Sequence, residues 1–451
     1  MEAKSQVLNS SIKTNNSDNL KKEIGLIDAI SVVIGIVIGS GIFFKASMVF
    51  KSAGTPMLGL LAWVIGGLIT MASALTIAEI ATAIPKTGGV FAYLKELYGE
   101  KWAFLFGWVQ TFIYIPGAGA ALAIILATQA TYFIPMTEIQ QKLLAITVLL
   151  TIIVGNILST KLGSRIQFIS TIGKLVPIFI IIIFGILNGT NNNLLTSSTG
   201  TVTVTGFGTA ILGTLWAYDG WISVGNIAGE LKNPKKDIPK AIIFGILTII
   251  IVYVLINLAI IKVIPVENVV KSVAPASDAA NKIFGSAGGN LISAGILISI
   301  FGALNGYLLT GVRIPFAMAK NGLLPFSKHI GKIDERFNTP LNSFVFEGIL
   351  ICIYIFTGSF EALTNLVIFV LWIFFTMTVA GIFILRKKYD ESKRPYKVPL
   401  YPIIPLIGIC GGLYIIFSTL ITSTGNALIG LALTFAGLPF YNYIKKKRKV
   451  L

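Results

Sequence analysis

Charge is scarce in this chain. Asp, Glu, Lys and Arg make up 12% of its 451 residues, against roughly 25% in a soluble globular protein. Such a chain cannot cover a water-facing surface. Histidine is nearly absent, with His329 alone, and cysteine is limited to Cys352 and Cys410. These counts leave no Cys/His zinc cluster and no disulfide framework. Both cysteines lie in apolar runs and read as buried small hydrophobes. No catalytic cluster surrounds the one histidine, so an enzyme, a cofactor and a metal centre are not expected. Acidic residues are few as well: 19 Asp and Glu face 36 Lys and Arg, a formal charge of +17. A nucleic-acid binder with that excess would interleave its basic residues with polar surface. Here they stand beside a 55% hydrophobic composition. A polytopic membrane protein fits both facts.

A helix needs about 20 apolar residues to cross the hydrocarbon core. Twelve stretches qualify or come close: 26–50, 57–84, 102–134, 142–159, 166–188, 206–229, 240–263, 289–319, 340–357, 362–385, 403–423 and 426–444. They are long and continuous rather than short and alternating, so the spans are helices and not barrel strands. Residues 1–24 are polar and hold no apolar core of a signal peptide, and read as a cytoplasmic tail.

The connections sort by charge. With the N-terminus inside, 28 of the 36 Lys and Arg fall on the inner side, including the KKKRK run at 445–449. Only Lys45, Lys51, Lys142, Lys262, Lys271 and Lys282 fall in outer connections. That asymmetry predicts both termini inside and an even number of spans. The loop 189–205 carries no charge, as suits an outer connection. The segment 83–102 is amphipathic, and its Phe91, Tyr93, Leu94 and Leu97 predict a short inner interfacial helix after the Gly88-Gly89 turn. Glu79 just before it is expected to pair with a cation. Arg313 can snorkel from the inner end of the eighth segment. Lys174 lies too deep in the fifth for that.

Two spans are interrupted. The first contains IGIVIGSGIF, with Gly35, Gly39 and Gly41; the sixth contains LWAYDGWISVG, with Asp219, Gly220 and Gly225. Each is followed by four more segments. Gly-interrupted helices at matching positions in two halves point to an inverted-repeat transporter. The domains follow: a tail 1–24, segments one to five in 25–188, an inverted second set in 206–386, two further helices in 402–444 and a basic tail 445–451. Unwound backbone suits a zwitterion, with amides at a helix start for a carboxylate and carbonyls at a helix end for an ammonium. The plainer alternative for Gly35 and Gly39 is a GxxxG packing face.

These residues resemble the amino acid–polyamine–organocation superfamily, in its L-amino acid transporter branch, and most of all its bacterial exchangers of small neutral amino acids. The resemblance rests on LKKEIGLIDAISVVIGIVIGSGIFF (20–44), IAEIATAIPKTGGVFAYLKELYG (77–99), AYDGW with GELKNPKKDIPKAI (217–242), RIPFAMAKNGLLP (313–325) and RPYKVPLYPIIP (394–405). It implies an all-α fold of twelve helices, the LeuT-type five-plus-five inverted repeat with two additional C-terminal helices. It implies exchange of amino acids such as serine, threonine and alanine by alternating access. A proton- or sodium-coupled symporter shares the fold and stays open as the alternative.

By motif position, the resemblance assigns the substrate carboxylate to the backbone amides of Ser40 and Gly41, with the Ser40 hydroxyl as a further donor. It assigns the amino group to the carbonyls of Val37, Trp216 and Asp219. Trp216 is the family's gating aromatic, whereas Trp221 also suits an interfacial aromatic belt. Tyr114, Ser299 and Asn305 are candidates to line the pocket. Many relatives have two glycines at Asp219-Gly220 and threonine at Ile36. Animal members of the branch join a single-span glycoprotein through a cysteine in the loop after the third helix. Here that loop, PMTEIQQ (135–141), has none, so no disulfide-linked heavy chain is expected.

A lysine buried in a membrane helix is a functional-site candidate by default. Sodium-coupled relatives hold an ion near the carbonyl that is Gly35 here. The ammonium of Lys174 could supply that positive charge and remove the need for sodium. The alternative is a structural ion pair between Lys174 and Asp219.

Overall fold

The computed structural model describes residues 25–84, 89–158, 160–191, 200–221, 232–337 and 339–450. The tail 1–24, Gly88, loop residues 192–199 and the second half of the sixth segment, with Gly225, lie outside them.

Its described residues are almost entirely helical. The first half of the chain comprises α1 (Leu26–Val37), α2 (Gly41–Ala53), α3 (Pro56–Ala83), α4 (Gly89–Tyr98), α5 (Glu100–Val109), a π-helical turn (Gln110–Tyr114), α6 (Ile115–Ala130), α7 (Glu138–Leu158) and α8 (Thr160–Asn188). Then come α9 (Val204–Tyr218), α10 (Pro234–Val263), α11 (Val266–Val269), α12 (Pro275–Gly311), α13 (Arg313–Lys320), α14 (Ser327–Ile330) and α15 (Leu341–Thr357). The last long helices are α16 (Phe360–Lys388), α17 (Ile403–Thr422), α18 (Thr424–Phe435) and α19 (Gly437–Val450).

Among the described residues, eight helical stretches are long and apolar enough to cross a membrane, and two shorter apolar ones are Lys174–Asn188 and Leu341–Thr357. Their outer faces are oily. Phe179, Ile183 and Leu187 stand exposed one turn apart on α8, as do Val345, Ile349 and Ile353 on α15. Stripes of that kind face lipid, so the chain is a multi-pass membrane protein. The same geometry corrects the reading of the cysteines. Cys410 is exposed and Cys352 half-buried, because an apolar run in a membrane helix can turn outward to lipid instead of inward.

Local chemistry sets the helix ends. Thr55, Thr203 and Ser359 cap α3, α9 and α16 by accepting from the amides of Leu58, Gly206 and Ala362. The predicted interfacial helix is α4, which buries Tyr93, Leu94 and Leu97. The eighth span starts earlier than its apolar run, at Pro275, and bends at Gly285, whose φ is +69°. The third span holds a feature that hydropathy does not reveal. Pro116 has no N–H for the Phe112 carbonyl, and the chain takes a π turn just before it. The Tyr354 hydroxyl donates to that free carbonyl at 2.8 Å.

Few ionisable side chains lie inside the bundle. Glu79 is fully buried and accepts from Arg386 at 2.8 and 3.0 Å, from Arg394 at 2.9 Å and from the Val398 amide at 2.7 Å. The expected pairing of Glu79 thus ties α3 to the end of α16 and to the segment that follows. Lys45 departs from its expected place. It belongs to α2, inside the bundle, with 1% of its surface exposed. Helix α2 runs on past the break to Ala53, so the outer connection begins well after Lys45.

The candidate substrate site at two broken helices

Helix α1 stops at Val37, and α2 begins at Gly41 after Ile38-Gly39-Ser40. Ser40 occupies the cap position, but its side chain makes no capping hydrogen bond. The first amides of α2 have no carbonyl a turn earlier in their own helix. Helix α9 stops at Tyr218, Asp219 is extended (φ −61°, ψ 153°), and Gly220 takes a φ of +100°. Only glycine adopts that backbone at little cost.

The two breaks meet. A methyl group on Gly41 would sit 2.5 Å from the Ala217 Cα, far inside van der Waals contact. No side chain fits there, whatever the flanking sequence. Gly41→Ala is therefore expected to push the breaks apart, cost about 1–3 kcal/mol, and cut transport far more than it cuts the amount of folded protein. Initial uptake rate, normalised to monodisperse protein, checks this.

A tyrosine spans the junction. The Tyr253 hydroxyl on α10 lies 2.7 Å from the Ala217 carbonyl and 3.1 Å from that of Val37. One hydroxyl proton serves the carbonyl ends of both broken helices. Tyr253 is held by Trp63 and Tyr218, with ring centroids 5.3 and 5.0 Å away. The Trp216 carbonyl receives the Asp219 amide at 3.3 Å. Each carbonyl oxygen has two lone pairs, so Val37 and Trp216 keep one for a further donor.

The Asp219 carboxylate is fixed by phenols. Tyr114, on the π turn, and Tyr307, on α12, both donate to its Oδ2 at 2.7 Å, and their hydroxyls are 3.0 Å apart. The cluster joins the third, sixth and eighth spans beside the break. Tyr114 is thus brought to the site by a direct bond. Lys174 is buried, and its ammonium donates to the Gly35 carbonyl of α1. Its partner is that carbonyl, while Asp219 pairs with tyrosines; the two do not form an ion pair.

The remaining predicted residues divide. The Trp216 ring is buried and meets Phe360 edge-on, with centroids 6.1 Å apart. Trp221 does not face outward from the bundle. It is buried at 3% exposure, with its ring 5.5 Å from that of Phe375 on α16. The Ser299 hydroxyl is buried without a hydrogen-bond partner. One turn before it, Gly295 packs on Pro177 of α8, three residues from Lys174. The Asn305 Oδ1 accepts from Asn156 of α7 at 2.9 Å.

Tyr253, Tyr307 and Phe360 were not visible as site residues in the sequence. The available signal was a lone tyrosine in an apolar run (IIIVYVLI, ALNGYLL), whose hydroxyl needs a partner when buried.

Lipid-facing helices enclosing two helix breaks that expose paired amides and carbonyls define a membrane carrier for a small polar solute. The chain belongs to the amino acid permease family, whose model matches residues 24–438. It is 42% identical over 433 residues to the serine/threonine exchanger SteT of Bacillus subtilis (strain 168), covering 96% of this chain and 98% of that one. It is 32% identical to the human b(0,+)-type amino acid transporter 1 (94% and 88% covered) and 30% identical to the human cystine/glutamate transporter (94% and 85%). The protein is an amino acid transporter and not an enzyme.

Proposed function

We propose that this protein exchanges small neutral L-amino acids across the cell membrane, without sodium, by alternating access. The frame is the twelve-helix, LeuT-type inverted repeat, with both termini in the cytoplasm and no disulfide-linked partner chain. One observation carries the proposal: the Lys174 ammonium bonded to the Gly35 carbonyl in the first broken helix. A carbonyl freed inside a membrane needs a donor or a cation. The chain supplies one itself, so a sodium ion is not needed to complete the site.

The substrate roles follow from helix ends. The amides of Ser40 and Gly41, at the start of α2, take the carboxylate, where the helix dipole favours negative charge. The Ser40 hydroxyl adds a donor. The free lone pairs of Val37, Trp216 and Asp219 carbonyls take the ammonium. Trp216 covers the bound amino acid and excludes water. Tyr114 lines the pocket and holds Asp219, and Ser299 lies on the α12 face toward α8.

The carboxylate of Asp219 repels an anionic substrate side chain, and one relative is a serine/threonine exchanger. A competition panel of the twenty amino acids against labelled serine in proteoliposomes tests this. Serine, threonine and alanine are expected to compete fully, and aspartate and glutamate not at all. Strong inhibition by glutamate, with none by alanine, would remove the neutral-substrate assignment.

A further inference from the structure

Lys45 has no role in the site described above, yet it is among the most deeply buried groups in the protein. Its ammonium, at 1% exposure for the residue, faces three soft partners. It donates to Thr364 Oγ1 at 2.5 Å, touches Met48 Sδ at 3.6 Å and lies 4.9 Å from the centre of the Phe360 ring. The Thr364 hydroxyl proton is committed to the Glu361 carbonyl at 3.0 Å, so its lone pair is what Lys45 receives. No carboxylate among the described residues lies within ion-pair distance of this ammonium; Glu361 acts on it only from farther away.

The position matters as much as the environment. Phe360 is the first residue of α16, and the same ring meets Trp216 edge-on at 6.1 Å and Phe44 at 6.5 Å. Lys45 therefore sits where the first turn of α16 closes over α2 and Trp216. The basic-residue pattern assigns this end of α2 to the outer side. The contacts that close this lid are aromatic and apolar. The group enclosed with them is a cation deprived of water and, among the described residues, of a carboxylate within ion-pair distance.

Enclosing an ammonium among neutral partners is unfavourable, and water restores its solvation as soon as the helices separate. We infer that Lys45 is a positioning residue of the outer gate, an electrostatic spring that opposes closure of α16 onto α2 and Trp216. The aromatic contacts close the gate, and hydration of Lys45 reopens it, so that bound substrate is not trapped. This rests on the transporter reading, but its test does not require transport.

The two partners give opposite signs. Lys45→Met keeps the length and removes the charge, so the closed form gains. Thr364→Val leaves the ammonium with one acceptor fewer, so the open form gains. Spin labels at Lys51→Cys and Thr357→Cys, both exposed positions, in a chain with Cys352→Ser and Cys410→Ser, report the separation of α2 from the α15–α16 corner. In reconstituted protein without substrate, Lys45→Met is expected to lower the open population about tenfold, and Thr364→Val to raise it. A latch would behave otherwise, with both variants opening the gate. Opening by Lys45→Met, or distance distributions unmoved by either variant, overturns the inference. Failure of the wild type to transport amino acids would instead remove the transporter reading and leave the distances interpretable.

Discussion

Lys174→Ala is expected to slow amino acid exchange by roughly ten- to hundredfold, the equivalent of losing one charge-assisted hydrogen bond of about 1.5–3 kcal/mol. The bond in question joins the fifth span to the Gly35 carbonyl of the first. Without the ammonium, that carbonyl faces an apolar interior with no donor, and the broken end of α1 loses its anchor on α8. The loss should appear in turnover more than in folding, because the lysine bonds the half-helix that ends at the proposed substrate site. Folded yield and melting midpoint near wild type, with a reduced exchange rate in proteoliposomes, are the expected pair of results. Lys174→Ala with wild-type rates removes the sodium-substitute role. Recovery of the mutant by added sodium would support it further.

Glu79 is expected to matter for stability more than for turnover. Its fully buried carboxylate holds Arg386, Arg394 and the Val398 amide. Arg386 also stacks on Tyr401, 3.6 Å from the ring centre. Glu79→Ala leaves two guanidinium groups, 20% and 10% exposed, around an empty position. Removing one partner of a buried pair costs about 3–5 kcal/mol, because the other charge is left uncompensated. The melting midpoint in detergent is expected to fall more for Glu79→Ala than for the other single substitutions proposed above. An unchanged midpoint would mean that the two arginines find other acceptors.

The contrast between these residues shows how much the sequence reveals. A long apolar run announces a membrane helix, and glycine with aspartate inside one announces a break. Asp219, Gly41 and Lys174 were legible for that reason: each is costly where it lies, so it needs a cause. Tyr253 and Tyr307 were not, since a tyrosine is at home in an apolar run and its hydroxyl shows its purpose only against neighbouring helices. Asn305, two positions from Tyr307, has a neighbour that the sequence did not announce: its Oδ1 accepts from Asn156 of α7. Lys45 misled. Counting it with a loop was natural near the end of an apolar segment, but α2 continues for two more turns and carries it inside. The π turn before Pro116 is invisible to hydropathy, and it carries Tyr114, which meets Asp219.

The central claim is exchange that draws its internal cation from the chain. Counterflow in proteoliposomes tests it most directly. Vesicles loaded with unlabelled serine and diluted into sodium-free buffer with trace labelled serine should accumulate label well above equilibrium, while empty vesicles should not. An imposed sodium gradient should leave both curves unchanged. Uptake that fails to respond to internal serine but follows an inward sodium gradient would contradict the account.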